Sequence, residues 1–303
     1  MSTYRMDDAG LFLSRQLEYI RPSVFEIEYA DIKYASVVPV NSEAGPAAAS
    51  YTYRVFDAQG DFAFIQDKAD DLPRADIVVK ETTFAYKSIG GSFGYTLQEI
   101  RAAQMANLSL EQRRAAAVRR AYEETVNKVA FFGDTGTNLA GMLNNTSVDK
   151  YTVQSTKWFD QATADEMLEV LNQGVNAIVS GSNMKEQPDT ILVPYSVYQK
   201  ITTTPRSTTS DTTVAQFFLA TNPFISNIEP LNELEASKSG GNLSKDRLVF
   251  YRRDPMKVEF HLPQPLEFFD PQQRGLEFIV PAHARVGGTA LYYPKSMLYM
   301  DKA

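Results

Sequence analysis

Few side chains in this sequence are suited to acid–base, nucleophilic or metal chemistry, and their spacing says as much as their number. There are no cysteines and only two histidines, His261 and His283. Thiolate zinc sites, iron–sulfur ligation, cysteine nucleophiles and disulfide scaffolds are therefore excluded, and a multi-histidine metal site has little to draw on. Each histidine sits in a strand-like stretch, KVEFHL or VPAHARVGG, with no serine or carboxylate at triad spacing. Alternation in KVEFHL predicts Val258, Phe260 and Leu262 on a buried face and Lys257, Glu259 and His261 on a wet one, so both histidines read as surface strand residues. Paired carboxylates are the remaining acid–base candidates. Glu123 and Glu124 lie side by side on a predicted helix, where neighbours point about 100° apart and cannot face one substrate. Asp70 and Asp71 fall at a predicted loop tip, with nothing to exclude water.

Glycine spacing raises a further possibility in FFGDTGTNLAGMLNN. Gly136 and Gly141 have the separation of a phosphate loop, but Met142 stands where that loop needs lysine. A calcium loop opening at Asp134 fails too, with Gly136 in place of Asp or Asn, Leu139 in place of the turn glycine and Asn145 in place of the bidentate Glu. The stretch reads instead as a helix end capped by Gly133 and a turn-rich connection.

The 303 residues carry 30 Lys and Arg against 37 Asp and Glu, a net charge of -7, with 44% hydrophobic and 12% aromatic residues. That composition builds a packed core and has room for about two domains of roughly 150 residues. The start has Asp7 and Asp8 where a secretory signal is positive, and its apolar run is only Leu11 to Leu13. No apolar stretch approaches the ~18 residues of a membrane span. The expectation is a soluble chain made in a reducing cytoplasm, without a membrane partner.

Around these residues the pattern predicts a distinctive order of elements. After a short helical pattern near Leu11 to Ile20, VFEIEYADIKYASVVPV is extended, an arm that must satisfy its backbone elsewhere. YTYRVFD and DIVVKETTFAYKSI then read as legs of a long β-hairpin over residues 50 to 89, its tip charged by Asp61, Asp67, Asp70, Asp71, Arg74 and Asp76. Such a ribbon is marginal by itself in water, so it must lie on something. Gly90, Gly91 and Gly94 suggest a hinge. Next comes a short helix over TLQEIRAAQMA, then a long one opening at Ser109, with Ala115, Val118, Tyr122, Val126 and Val129 on one stripe. Among Arg113, Arg114, Arg119 and Arg120 only Arg113 and Arg120 share a side, which favours a solvated or subunit-facing surface over a nucleic-acid stripe.

The middle of the chain alternates helix and strand. Thr163 with Glu166 signals a capping box, PDTILVP a short buried strand, YSVYQKI a helix, and Asp211 the cap of a helix holding Val214, Phe217 and Phe218. The polar loop TTTPRSTTSDTT suits a contact surface or binding loop. The last sixty or so residues are rich in strands.

This order resembles the major capsid protein of tailed bacteriophages, whose shell fold is shared with encapsulins; FFGDTGTNLAGMLN, DTILVPYSVYQKI and EFIVPAHARVGGTALYYP carry the likeness. The resemblance implies an α+β shell fold: an N-terminal arm (1–46), an extended β-hairpin loop (47–90), a peripheral domain (91–150 and 245–285) with a spine helix near 109–132, and an α/β axial domain (151–244 and 286–303). It implies a non-enzymatic structural subunit of an icosahedral capsid, self-assembling into the shell around packaged double-stranded DNA, in a virion assembled in the host cytoplasm. Partners so implied are many copies of the chain as pentamers and hexamers, scaffolding, portal and decoration proteins, and DNA contacted weakly without sequence specificity. No cofactor is implied.

The chain starts almost directly at the arm, so scaffolding, if used, is expected as a separate protein. Lys68 lies near the hairpin tip, but nothing local assigns it a cross-linking partner. The candidate subunit-interface residues are Asp67, Lys68, Asp70, Asp71 and Arg74 of the hairpin, with Arg113 and Arg120 of the spine helix as a basic counterpart. Two alternatives remain from the sequence: an encapsulin-type shell enclosing protein cargo, and a carboxylate-based enzyme.

Overall fold

The computed structural model describes residues 31–60, 74–99, 101, 110–153, 158–207, 209, 211–240 and 242–303, and the compact unit traced below runs from Ile32 to Ala303. Where the sequence reads as continuous strand, Tyr34–Val37 forms one helical turn (α1), closed by the Val38 N–H on the Tyr34 carbonyl at 2.8 Å. Tyr34 and Val37, three apart, thereby both reach the core. The chain then extends through Val40–Asn41 (β1). Ser50–Gln59 (β2) and Asp76–Ala85 (β3) pair antiparallel over ten residues, from Ser50 opposite Ala85 to Gln59 opposite Asp76. These are the two hairpin legs expected from the alternation. The tip residues Asp67, Lys68, Asp70 and Asp71 lie outside the described residues.

The glycines read as a hinge are strand. Lys87–Thr96 (β4) pairs residue for residue with Glu277–Val286, from Lys87 opposite Val286 to Thr96 opposite Glu277. A side chain on Gly91 would lie 3.6 Å from Val118 of the long helix, so the glycines bring bare backbone close beneath that helix. Ten ladder pairs outweigh the local permissiveness of glycine.

The long helix, Leu110–Phe132 (α2), has 23 residues, a span of roughly 34 Å at 1.5 Å per residue. Its stripe sinks progressively: Ala115, Val118 and Tyr122 are half-buried, whereas Val126 and Val129 are buried. Gly133, at φ +67°, ends it in the left-handed region. The glycine motif beyond is a crossing of backbones. A side chain on Gly133 would strike the Leu139 carbonyl, and one on Gly141 the Gly133 amide. Asp134 and Leu139 exchange backbone hydrogen bonds of 3.0 and 2.9 Å. The Asp134 carboxylate accepts the Thr137 hydroxyl at 2.6 Å and the Thr137 N–H at 2.9 Å, which holds it below the ordinary carboxylate range. Met142 is buried in the core.

Asp149–Thr152 (β5) leads to Ala164–Gly181 (α3), where the expected capping box forms: the Thr163 N–H donates to Glu166 at 2.7 Å and the Glu166 N–H returns to the Thr163 hydroxyl at 3.4 Å. Thr190–Val193 (β6) and Tyr195–Thr203 (α4) follow as read. Val214–Thr221 (α5) is capped by Thr213, paired reciprocally with Gln216, and not by Asp211. Thr213 also bridges to Pro205 and closes the polar loop, which sets the helix start two residues later. The remaining strands are Asn227–Pro230 (β7), Arg247–Tyr251 (β8), Val258–His261 (β9), Gln264–Phe268 (β10), Gln272–Arg274 (β11), Glu277–Val286 (β12), Gly288–Leu291 (β13) and Met297–Asp301 (β14).

One five-stranded sheet, in the order β5-β14-β8-β6-β7, divides two cores. Val249, Tyr251, Met297 and Tyr299 face the core shared with α1, α2 and β9. Leu248, Phe250, Leu298 and Met300, their alternating neighbours, face the core under α3, α4 and α5. The other described sheets are β1-β9-β13, the β4-β12 ladder edged by β10 and β11, and the β2-β3 ribbon.

Candidate assembly surfaces

Period-2 alternation gives the β2-β3 ribbon two unlike faces. On one, Tyr51 lies opposite Phe84 and Tyr53 opposite Thr82, at the end of the ribbon nearest the body. Tyr53 stacks on Phe84 at 5.9 Å and meets Tyr292 edge-on at 4.8 Å. The other face begins with the Thr52 and Thr83 hydroxyls, 2.9 Å apart, and the Arg54–Glu81 ion pair at 2.7 Å. Beyond them it turns apolar: Phe56 pairs with Val79 and Ala58 with Ile77. Phe56, Ile77 and Val79 are 66%, 62% and 47% exposed. A contiguous apolar surface on a ribbon whose outer edges pair with no described strand has the makings of a contact surface.

The ribbon's near end rests on a polar aromatic cluster that the sequence reading missed. His261 is 2% exposed, not on a wet face. The alternation in β9 is as read, but the hairpin and the segment after β13 cover its second face. The Tyr51 ring lies 4.5 Å from the imidazole. The Tyr86 hydroxyl is 3.5 Å from Nδ1, and Nε2 is 3.2 Å from the Tyr292 hydroxyl. Tyr292 donates to Glu259 Oε2 at 2.9 Å, which also accepts from Asn41 at 3.1 Å, and its hydroxyl lies 3.3 Å from that of Tyr51. Burial pushes the His261 pKa down and those of Tyr86 and Tyr292 up. A side chain at Gly287 would meet the Tyr86 ring at 2.5 Å, so the glycine makes the room. The spread of tyrosines over YTY, AYK and LYY was the available signal, but residues up to 241 apart meet here. His283 is half-buried on the outer side of β12.

Of the residues singled out from sequence, Arg74 and Arg113 are exposed, and Arg120 pairs with Glu124 at 2.8 Å. Among the described residues, no hydrogen bond or ion pair joins Arg74, Arg113 and Arg120 to one another. Arg114 behaves differently: it bonds Glu99 at 2.9 Å and the Gly94 carbonyl, tying α2 to the end of β4. That guanidinium, with the Thr96 N–H, holds the Glu99 carboxyl down to about 2. Glu124 faces Arg120, whereas burial and then Glu123 raise the Tyr34 pKa across the α1 contact, so the two carboxylates diverge. Among the described residues no group of three or more His, Asp or Glu could hold a metal ion. No described helix is long and apolar enough to cross a membrane.

A family model described as Major capsid protein matches residues 60–302. No curated protein matches in sequence. Among solved structures, the chain is similar to the capsid of Myoviridae Phage XM1, with TM-score 0.83 at 17% identity over 96% of this chain and 98% of that one. It is also similar to a chain of Mycobacterium phage Bobi, with TM-score 0.64 at 12% identity over 94% and 95%. A virus-like particle from Pyrococcus furiosus aligns with TM-score 0.53 at 12% identity over 88% and 91%. The phage major-capsid fold is thus present over nearly the whole length, and the family match spans most of the sequence: this chain belongs to the major capsid protein family, the structural subunits of phage shells.

Proposed function

We propose that the chain forms an icosahedral capsid around packaged double-stranded DNA, as pentamers and hexamers assembled in the host cytoplasm. The observation that carries this reading is the exposed apolar face of the β2-β3 ribbon. Fully burying a Phe, Ile or Val side chain contributes about 1.5–3 kcal/mol, so Phe56, Ile77 and Val79 against a neighbouring subunit supply a contact repeated in every copy. Many modest, identical contacts favour closure while letting misplaced subunits leave. In this reading residues 1–46 are the arm and 47–90 the extended loop; 91–150 and 245–285 are peripheral, and 151–244 and 286–303 axial. Asp67, Lys68, Asp70, Asp71 and Arg74 meet a neighbour's basic surface that includes Arg113 and Arg120. DNA is contacted weakly, as suits a chain of net charge -7. Scaffolding, portal and decoration proteins are further partners.

Expression of wild type beside Phe56→Asp/Ile77→Asp, read by size-exclusion chromatography and negative-stain microscopy, tests the central point. Polygonal particles from wild type and folded, unassembled subunits from the variant are expected. Normal particles from the variant would overturn the hairpin contact. The likeness to the Pyrococcus furiosus particle favours a second reading, a shell around protein cargo. Particle content separates them, nucleic acid for the first and protein for the second.

A further inference from the structure

We infer that His261 is the positioning residue for the extended hairpin, docking the ribbon on the subunit through a directed hydrogen-bond chain from Tyr86 through His261 and Tyr292 to Glu259. The inference rests on the reading above, in which the ribbon must be presented to a neighbour at a defined angle. Among its described residues the ribbon touches the body through Tyr51 on His261 and Tyr53 on Tyr292, both at its near end, so a small rotation there is a large displacement at Phe56 and Ile77. What fixes that end is polar and directional, not merely apolar.

The direction follows from counting protons. Tyr292 has one hydroxyl proton, and the Glu259 carboxylate 2.9 Å away takes it as a charge-assisted bond. The Tyr292 oxygen is then an acceptor for His261 Nε2, 3.2 Å away, so that nitrogen carries the hydrogen. Nδ1 is left as an acceptor facing the Tyr86 hydroxyl at 3.5 Å, the longest link. The neutral Nε2–H tautomer lets the Tyr292 proton go to Glu259 while Nδ1 accepts from Tyr86. Gln places its amide NH2 near the Nε2 position and keeps the inner link; Phe keeps the ring volume and loses both.

The same geometry makes docking depend on pH. A proton added at Nδ1 ends its acceptance from Tyr86, whose hydroxyl must turn to accept instead, and buries a charge. Around the imidazole stand Tyr51 from β2, Tyr86 from the end of the hairpin, Glu259 from β9 and Tyr292 beyond β13, with Arg285 of β12 acting on Tyr86. Glu259 favours the added proton, and burial, the larger influence, opposes it. The docked ribbon therefore binds the proton less readily than an undocked one, whose imidazole is released toward the ordinary 6.5. Docking is complete above that pH and weakens as pH falls through and below it.

Because the chain has no cysteine, Asp76→Cys and Lys295→Cys introduce the only thiols for a spin-label pair that reports the ribbon-to-body distance in unassembled full-length subunits. One narrow distance is expected at neutral pH, broadening reversibly below pH 6.5. His261→Phe and Tyr292→Phe are expected to lose the narrow distance at neutral pH. His261→Gln should keep it there and lose the acid broadening. Unchanged melting temperature, followed by Trp158 fluorescence, separates undocking from unfolding. Two results would each overturn the inference: a His261→Gln profile that broadens with acid as wild type does, or a narrow distance retained in both Phe variants. Assembly yield is scored separately with Phe56→Asp/Ile77→Asp. If His261→Phe broadens the distance while it and the Phe56/Ile77 variant both assemble, the positioning role stands and the hairpin contact fails. If the Phe56/Ile77 variant fails to assemble but His261→Phe changes nothing, the contact stands and the positioning role fails.

Discussion

The five-stranded sheet and the β2-β3 ribbon are made of similar residues, and their fates are opposite. Every residue of β6 and β8 is buried; β3 is exposed from Asp76 through Glu81. In the sheet, Phe250 and Tyr251 go to two different cores of the same subunit. In the ribbon, Phe56 and Ile77 have no core to enter. Apolar alternation thus specifies that a face will be covered without specifying by which molecule. A subunit that must be stable before assembly and adhesive during it assigns the two tasks to separate strands.

Breaking the sheet should harm the free subunit most. Arg247 is buried, grips Asp301 through two bonds of 2.5 and 2.8 Å, donates to the Leu143 carbonyl and lies over the Tyr299 ring at 4.5 Å. Arg247→Ala leaves Asp301 and that carbonyl unpaired, with an expected loss of about 3–5 kcal/mol in urea unfolding. Gly174→Ala is next. Its methyl would strike the Phe250 ring, and an overpacking cost of about 1–3 kcal/mol exceeds the helix-propensity gain of ~1, so the melting temperature should fall. Thr163→Ala, which removes half of the capping box of α3, should cost about 1 kcal/mol by the same assay.

The ribbon inverts the scale. Phe56→Ser/Val79→Ser should change free-subunit stability by less than about 0.5 kcal/mol while lowering particle yield, and a large loss of stability would erase the contrast between the regions. The smallest expected effect lies outside both regions, where the end of β4 is tied to the long helix. Glu99, lowered from 4.5 to about 2 chiefly by Arg114, contributes stability that is present above pH 4.5 and lost as pH falls toward 2. Glu99→Gln should slightly lower the melting temperature above pH 4.5 and remove that part of its acid dependence, so that the two curves converge as pH falls toward 2.

How far each element was legible depended on how local its cause is. The Thr163–Glu166 box, the α2 stripe, the buried TILV strand and the hairpin legs all follow from residues within a few positions of one another. Three misreadings share a non-local cause. Gly90, Gly91 and Gly94 look like a hinge until β12, nearly two hundred residues later, pairs with them. Tyr34–Val37 looks like strand until the core beside α2 draws both side chains inward. His261 looks wet until Tyr51, Tyr86 and Tyr292 close over it. The face of the ribbon that carries Phe56 and Val79 was not legible either, because both faces hold aromatic and β-branched residues and only the docking of Tyr51 and Tyr53 distinguishes them.

The absence of cysteine, the failure of the glycine motif as a phosphate or calcium loop, the divergent glutamates and the order of ribbon, long helix and mixed region were determined by the sequence alone. Each depends on residue identity and on separations of a few residues, over which backbone geometry is nearly constant. Tertiary structure alone decided which apolar strands the subunit keeps for itself, which it leaves exposed, and that a histidine with no partner by spacing has three by contact. Those outcomes depend on which distant segments pack together, and a ladder pairing or an aromatic cluster leaves no periodicity in the chain on either side of it.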